Sequence, residues 1–299
     1  MALAKEQSKE LLTPEFMAKL DQLALVSRKI FAGKLRGERI SKRKGESVEF
    51  ADHRSYVIGD DFRFLDWNIY ARLEKLFIKL FLEEEDLHIS ILVDVSKSMD
   101  WGEPGKSLYA RRIAAAMAYI GLVNFDRVSL YTYADGLQNE IAGLRGRRLM
   151  FKVVEFLNRV TCDGKSNLPL ACKQFSIHHP QPGIVLVLSD FFEKSGYEEG
   201  FKYMLGRKYD LYAIHILSPE EIEPRLAGDL RLMDVEDDDV AEVTMSRALI
   251  TRYKHNLDAY CHELKDYCHR RGASYMFTGT DVAFDQIIMS YFRRRGLIQ

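Results

Sequence analysis

From His88 onward, short apolar runs alternate with stretches of helical period. HISILVD is followed by a helical pattern from about Ser107 to Val123 and then by RVSLYTYA. The alternation continues through LQNEIAGL, polar enough for an edge hairpin, helical patterns near residues 147–160 and 168–178, the apolar run GIVLVLSD, and a helical pattern near 196–208. DLYAIHILS reads as a further strand. GDLRLMDVEDDDVAEVTM reads as a β-hairpin inserted near residues 229–245, with Asp234, Glu236, Asp237, Asp238 and Asp239 at its tip. A long helix from about 246 to 271, the strand ASYMFTG and a last helix complete the pattern. Strands separated by helical crossovers predict an α/β fold, a doubly wound and mostly parallel sheet with helices on both faces and ligands at the carboxyl ends of its strands.

Upstream the pattern differs. Thr13 and Pro14 supply an N-cap and a first turn for an amphipathic run with Phe16, Leu20, Leu23 and Ile30 inward, which predicts a helix over about 14–30. Between Arg28 and Lys44 there are eight Lys or Arg against Glu38 alone. After Ala51 the chain becomes dense in aromatics, Arg and Asp, with Gly59 marking a turn. These shifts predict a smaller N-terminal unit over residues 1–85, preceding the α/β domain of residues 86–299.

Composition removes several classes. With 47% hydrophobic residues among 299, a sizeable core is available and disorder is excluded. Lys plus Arg total 43 against 44 for Asp plus Glu, so no global charge draws the chain to nucleic acid. The longest uncharged apolar stretch, Ile113–Val123, has 11 residues, short of the roughly 20 that a spanning helix needs. The opening MALAKEQSKELL has neither a basic nor an apolar leader region, and the four cysteines lack disulfide or metal spacing, so a cytoplasmic protein is expected.

The sharpest chemistry lies where HISILVDVSKSM leaves its strand. Asp94, Ser96 and Ser98 stand on alternate residues, and a carboxylate with two hydroxyls suits a hard, octahedral cation such as Mg²⁺ or Mn²⁺. The same residue types also cap helices and make turns. Ser166, in the loop CDGKSNLPLA, and Asp190, ending VLVLSD, are further oxygen donors at loop or strand-end positions, and they favour the metal reading. Catalysis has less support. An aspartyl phosphatase would resemble Asp-x-Asp, whereas Ser96 fills the second position, and no Walker loop is present. His255, His262 and His269 recur every seven residues on the long helix, about 10.5 Å apart, too far to share one zinc.

These residues resemble the metal-ion-dependent adhesion site of von Willebrand factor A domains, in which an Asp-x-Ser-x-Ser loop, a Thr loop and an Asp loop surround one divalent ion. Asp94, Ser96 and Ser98 match the first loop, Asp190 matches the Asp loop, and Ser166 stands where the family usually has Thr. The preceding segment is similar to the bacterial domain of unknown function 58 family at Arg54, Tyr56, Gly59, Asp60, Arg63, Asp66, Trp67, Ala71 and Arg72. That resemblance implies a short form without paired membrane helices and a MoxR-type AAA+ ATPase as partner. Arg63 with Asp60 or Asp66 would form either a buried structural network or a partner-facing surface.

The resulting expectation is a non-enzymatic, divalent-ion-dependent interaction module, in which a partner carboxylate completes the metal's coordination. Its rival is a nucleic-acid-binding protein that uses the basic cluster of residues 28–44, although Phe31 is the only aromatic there and base stacking has little support.

Overall fold

A computed structural model describes residues 11–21, 23, 49–82, 87–207, 209–224, 228–233 and 240–292. The chain divides into two units, one of residues 31–86 and one of residues 1–30 with 87–299.

In the larger unit, β3 (His88–Asp94), β4 (Arg127–Ala134), β5 (Gly136–Leu144), β6 (Gly183–Ser189), β7 (Tyr209–Leu217) and β10 (Ser274–Gly279) form one sheet in the order β10-β7-β6-β3-β4-β5. Every neighbouring pair is parallel except β4 with β5. The fold is therefore α/β with a mixed sheet, its single antiparallel strand at one edge. All residues of β6 and β7 are buried, as expected of parallel strands covered on both faces. Alternation along β6 sends Ile184, Leu186 and Leu188 into one core and Val185 and Val187 into the other.

The first core lies against α3 (Lys106–Val123), whose Ala114, Ala115, Ala116 and Ala118 are all buried. Being apolar nearly all round, this helix is central and not a surface amphipath. The second core takes buried side chains from α5 (Leu168–His178), α6 (Glu198–Leu205) and α8 (Arg247–Arg270). The expected 147–160 helix is a 3₁₀ turn followed by α4 (Met150–Asn158), and the last helix is a short turn, Phe284–Gln286, running into a π-helix, Ile287–Phe292. The inserted hairpin pairs β8 (Gly228–Met233) with β9 (Val240–Met245), and its acidic tip at 234–239 lies outside the described residues.

The helix expected over 14–30 is shorter. Thr13 accepts the Phe16 N–H and Pro14 opens α1 (Pro14–Leu20), but the helix stops at Leu20. The Tyr119 hydroxyl donates to Asp21 Oδ1 at 2.6 Å, and Asn124 Nδ2 donates to Leu23 O at 2.7 Å, so the chain after α1 is tied to α3. These bonds, with buried Phe16 and Leu20, put α1 in the larger unit and not in the N-terminal one expected. Ile30 and the basic segment 28–44 lie outside the described residues.

The smaller unit is an antiparallel pair, β1 (Glu49–Ser55) with β2 (Phe77–Leu82), joined through a 3₁₀ turn, Phe62–Phe64, and α2 (Trp67–Leu73). Asp66 caps α2 by accepting the Asn68 and Ile69 N–H groups at 2.9 and 3.2 Å.

Candidate functional site

The larger sheet grows outward from β3 in both directions, so β3 and β6 flank the point where its winding reverses. The crevice at the carboxyl ends of two such strands is where open α/β sheets place ligands. Asp94 ends β3, and Asp190 follows β6 directly.

The side chains converge there. Asp94 and Ser96 are fully buried and Asp190 nearly so. Asp94 Oδ1 accepts the Ser96 N–H at 2.9 Å. Its Oδ2 accepts the Ser189 hydroxyl at 2.6 Å and the Ser166 hydroxyl at 3.4 Å. The Ser96 and Ser98 hydroxyls are 3.0 Å apart. Ser166 reaches the group because its loop is pinned to the Asp94 loop: Lys97 N–H donates to Gly164 O at 3.0 Å and Asp163 N–H to Val95 O at 2.9 Å. The hydroxyl that reads in the sequence as a departure from Thr therefore faces Asp94.

Burial, and secondly the negative charge of Asp190, push the Asp94 carboxyl well above the usual carboxylate range. Two neighbouring buried carboxylates with hydroxyls around them suit a small dication, which would restore the charge that burial disfavours and needs only oxygen donors. The donor chemistry thus fits Mg²⁺ or Mn²⁺ at Asp94, Ser96, Ser98 and Ser166. No group of three His, Cys, Asp or Glu arranged for a metal occurs among the described residues. Such a group would not include this hydroxyl-rich set.

Asp190 is engaged differently from the expectation of a plain ligand. Lys106 Nζ, fully buried, donates to Asp190 Oδ2 at 2.7 Å and to Glu221 Oε1 at 2.5 Å, while Asp190 Oδ1 accepts the Phe192 N–H at 3.2 Å. Burial opposes the lysine's charge, but Asp190 and Glu221 together more than offset this and raise its pKa. Glu221 lies on α7 (Pro219–Ile222) in a capping box with Ser218. Phe191, next to Asp190, is buried with φ 53°, a conformation that costs a bulky residue energy. Ser189 Oγ holds that turn by accepting the Phe191 N–H at 2.9 Å.

Ser189, Lys106 and Glu221 were not among the expected site residues. The sequence does carry a signal for two of them. Ser189 is a hydroxyl closing an otherwise apolar run, and Lys106 is a cation in the first turn of an apolar helix, where the helix dipole disfavours it unless an anion waits nearby.

The Arg- and Asp-rich motif divides differently from the expected network. Arg54 pairs bidentately with Asp60 at 2.7 Å, because the Val57 to Asp60 turn folds back onto β1. Arg63 pairs with Asp61 at 2.6 Å, not with Asp60 or Asp66, and this pair is exposed. Asp66 instead accepts from His53 at 2.9 Å and lies 3.4 Å from Lys79. Tyr56 stacks on Phe62 with centroids 5.5 Å apart, Gly59 takes the φ of 108° its turn requires, and Arg72 is in the last turn of α2. Trp67 is 61% exposed, so no buried network surrounds it.

No helix among the described residues is long and apolar enough to cross a membrane. The chain is 24% identical over 241 residues to the uncharacterized protein Rv1480 of Mycobacterium tuberculosis, covering 79% of this chain and 76% of that protein. Among solved structures it is similar to an aerotolerance-related membrane protein from Bacteroides fragilis, with 13% identity, a TM-score of 0.44, and 70% of this chain and 99% of that chain covered. It is also similar to the SpRpn10 VWA domain, with 14% identity, a TM-score of 0.38, and 68% and 94% covered. The family model Protein of unknown function DUF58 matches residues 52–263, which span most of β1 through much of α8, and the chain belongs to that family.

Proposed function

We propose that this protein is a non-catalytic protein-interaction module of von Willebrand factor A type, in which Asp94, Ser96, Ser98 and Ser166 hold Mg²⁺ or Mn²⁺ and Asp190 supports the ion from beside them. The observation that carries this reading is a buried Asp94 whose two oxygens already gather the Ser96 backbone and the Ser166 and Ser189 hydroxyls at the sheet's winding reversal. A hard cation there keeps a coordination position for solvent, and a Glu or Asp from a partner can replace that solvent. Metal then gates binding.

The resemblance to the domain of unknown function 58 family suggests the partner, a MoxR-type AAA+ ATPase, and a shared role in maturing or remodelling other proteins in the cytoplasm. The test is capture of the ATPase on the immobilised full chain at fixed Mg²⁺, with and without chelator. Chelation should release the ATPase, and Ser96→Ala with Ser98→Ala should prevent its capture. Retention of nucleic acid that falls steeply with salt and ignores chelator would favour the rival reading instead.

A further inference from the structure

Lys106 is the one fully buried lysine among the described residues, and it sits within hydrogen-bonding distance of two carboxylates on different elements. It opens α3, where a positive charge opposes the helix dipole, and it is sealed from solvent. Simple anchoring of α3 would not require an ammonium. A neutral residue would avoid both penalties. What the ammonium does is occupy Asp190 Oδ2, while the Phe192 N–H occupies Oδ1, so that both oxygens of the expected metal-supporting carboxylate are already engaged.

We propose that Lys106 is a resident cation that competes with the divalent ion for Asp190 and thereby sets the metal affinity of the site. An oxygen that accepts from an ammonium is a poorer donor to a metal, and the fixed positive charge repels a dication in a poorly screened interior. Glu221 is the lysine's second anchor. When Asp190 turns to the metal, Glu221 still satisfies Lys106, so the exchange leaves no buried charge alone. Because Glu221 also accepts the Ser218 N–H at 2.8 Å, the exchange is linked to the fold of α7. A partner that shifts this short helix would change metal affinity without touching the ion.

This inference rests on the metal reading above, and the two are separated by measuring Mn²⁺ binding to the full chain directly, by the loss of the free-ion electron paramagnetic signal. Lys106→Met keeps the length and removes the charge. It should tighten Mn²⁺ binding at least tenfold. Glu221→Gln leaves Asp190 as the lysine's only charged partner and should weaken binding several-fold. A structural lysine would give no such opposite pair. Unchanged or weaker binding in a Lys106→Met protein with native circular dichroism overturns the proposal. If that variant does not fold, Glu221→Gln decides, with unchanged affinity counting against it. Binding by Lys106→Met but not by the unaltered protein would support the resident cation and end the metal reading for the native chain. Binding by neither would overturn both.

Discussion

The Ser189 hydroxyl donates to Asp94 Oδ2 at 2.6 Å, joining the carboxyl ends of β6 and β3 through two buried side chains. Ser189 Oγ in turn accepts the Phe191 N–H, so one hydroxyl serves the buried carboxylate and the strained turn that presents Asp190. Ser189→Ala removes both bonds at once. It should cost about 1–3 kcal/mol in urea unfolding, the penalty for leaving buried polar groups unsatisfied, with the m-value unchanged. A loss below about 0.5 kcal/mol, the range of a surface substitution, would show that the hydroxyl does not organise the site.

Gly102 lies against the N-terminus of α7, the helix that carries Glu221. Its φ is 89°, and a Cβ there would lie 2.4 Å from the Ser218 Cβ. Gly102→Ala must therefore displace the N-cap of α7 and strain the backbone, at about 1–3 kcal/mol for the backbone alone. Thermal unfolding of the variant should begin well below that of the native chain, and an unchanged midpoint would contradict the close packing of this loop on α7.

The smaller unit should respond to acid through Asp66. A hydrogen bond from His53 holds its carboxyl at about 2, against the opposing effect of burial and with help from the Ile69 and Asn68 N–H groups and Lys79. A carboxyl depressed on folding contributes stability that is complete above the ordinary value of about 4 and is lost as pH falls through about 2. In a Trp101→Phe background, Trp67 is the only tryptophan and reports this unit. Its fluorescence should change between about pH 4 and 2, and Asp66→Asn should flatten that change. An identical acid transition in both proteins would assign it elsewhere.

The alternation of apolar runs and helical periods was sufficient for the order of the larger unit, because β6 and β7 are buried along their whole length and carry few polar residues, Ser189 in β6 and Asp210 and His215 in β7. The position of α1 was not legible, since its placement depends on Asp21 and Leu23 meeting Tyr119 and Asn124 about 100 residues away. The same limit applies to the Arg and Asp motif. Spacing does not say which Asp each Arg takes, and the turn at Gly59 decides that Asp60 returns to Arg54. Asp94, Ser96 and Ser98 were visible as a pattern on one loop, with Ser166 and Asp190 added as further donors. Lys106 stands out by its place in the first turn of an apolar helix, but its partners do not, because Lys106, Asp190 and Glu221 follow three different strands, β3, β6 and β7, which only the sheet order makes neighbours.

The central claim is that Asp94 organises a divalent-ion site, and the most direct measurement is the Mg²⁺ dependence of the melting temperature in the native chain and in Asp94→Asn. The amide keeps the side chain's shape and carries no charge to bury, while exchanging one of the two acceptor oxygens for a donor, so the metal-free variant should remain folded, with native circular dichroism as the check, whatever the offset of its melting temperature. Mg²⁺ should raise the native midpoint in proportion to the logarithm of its concentration once the site saturates, because an ion that binds only the folded state stabilises it by mass action. The account predicts that Asp94→Asn loses this rise. Equal rises in the two proteins, or none in the native chain at millimolar Mg²⁺, would contradict it.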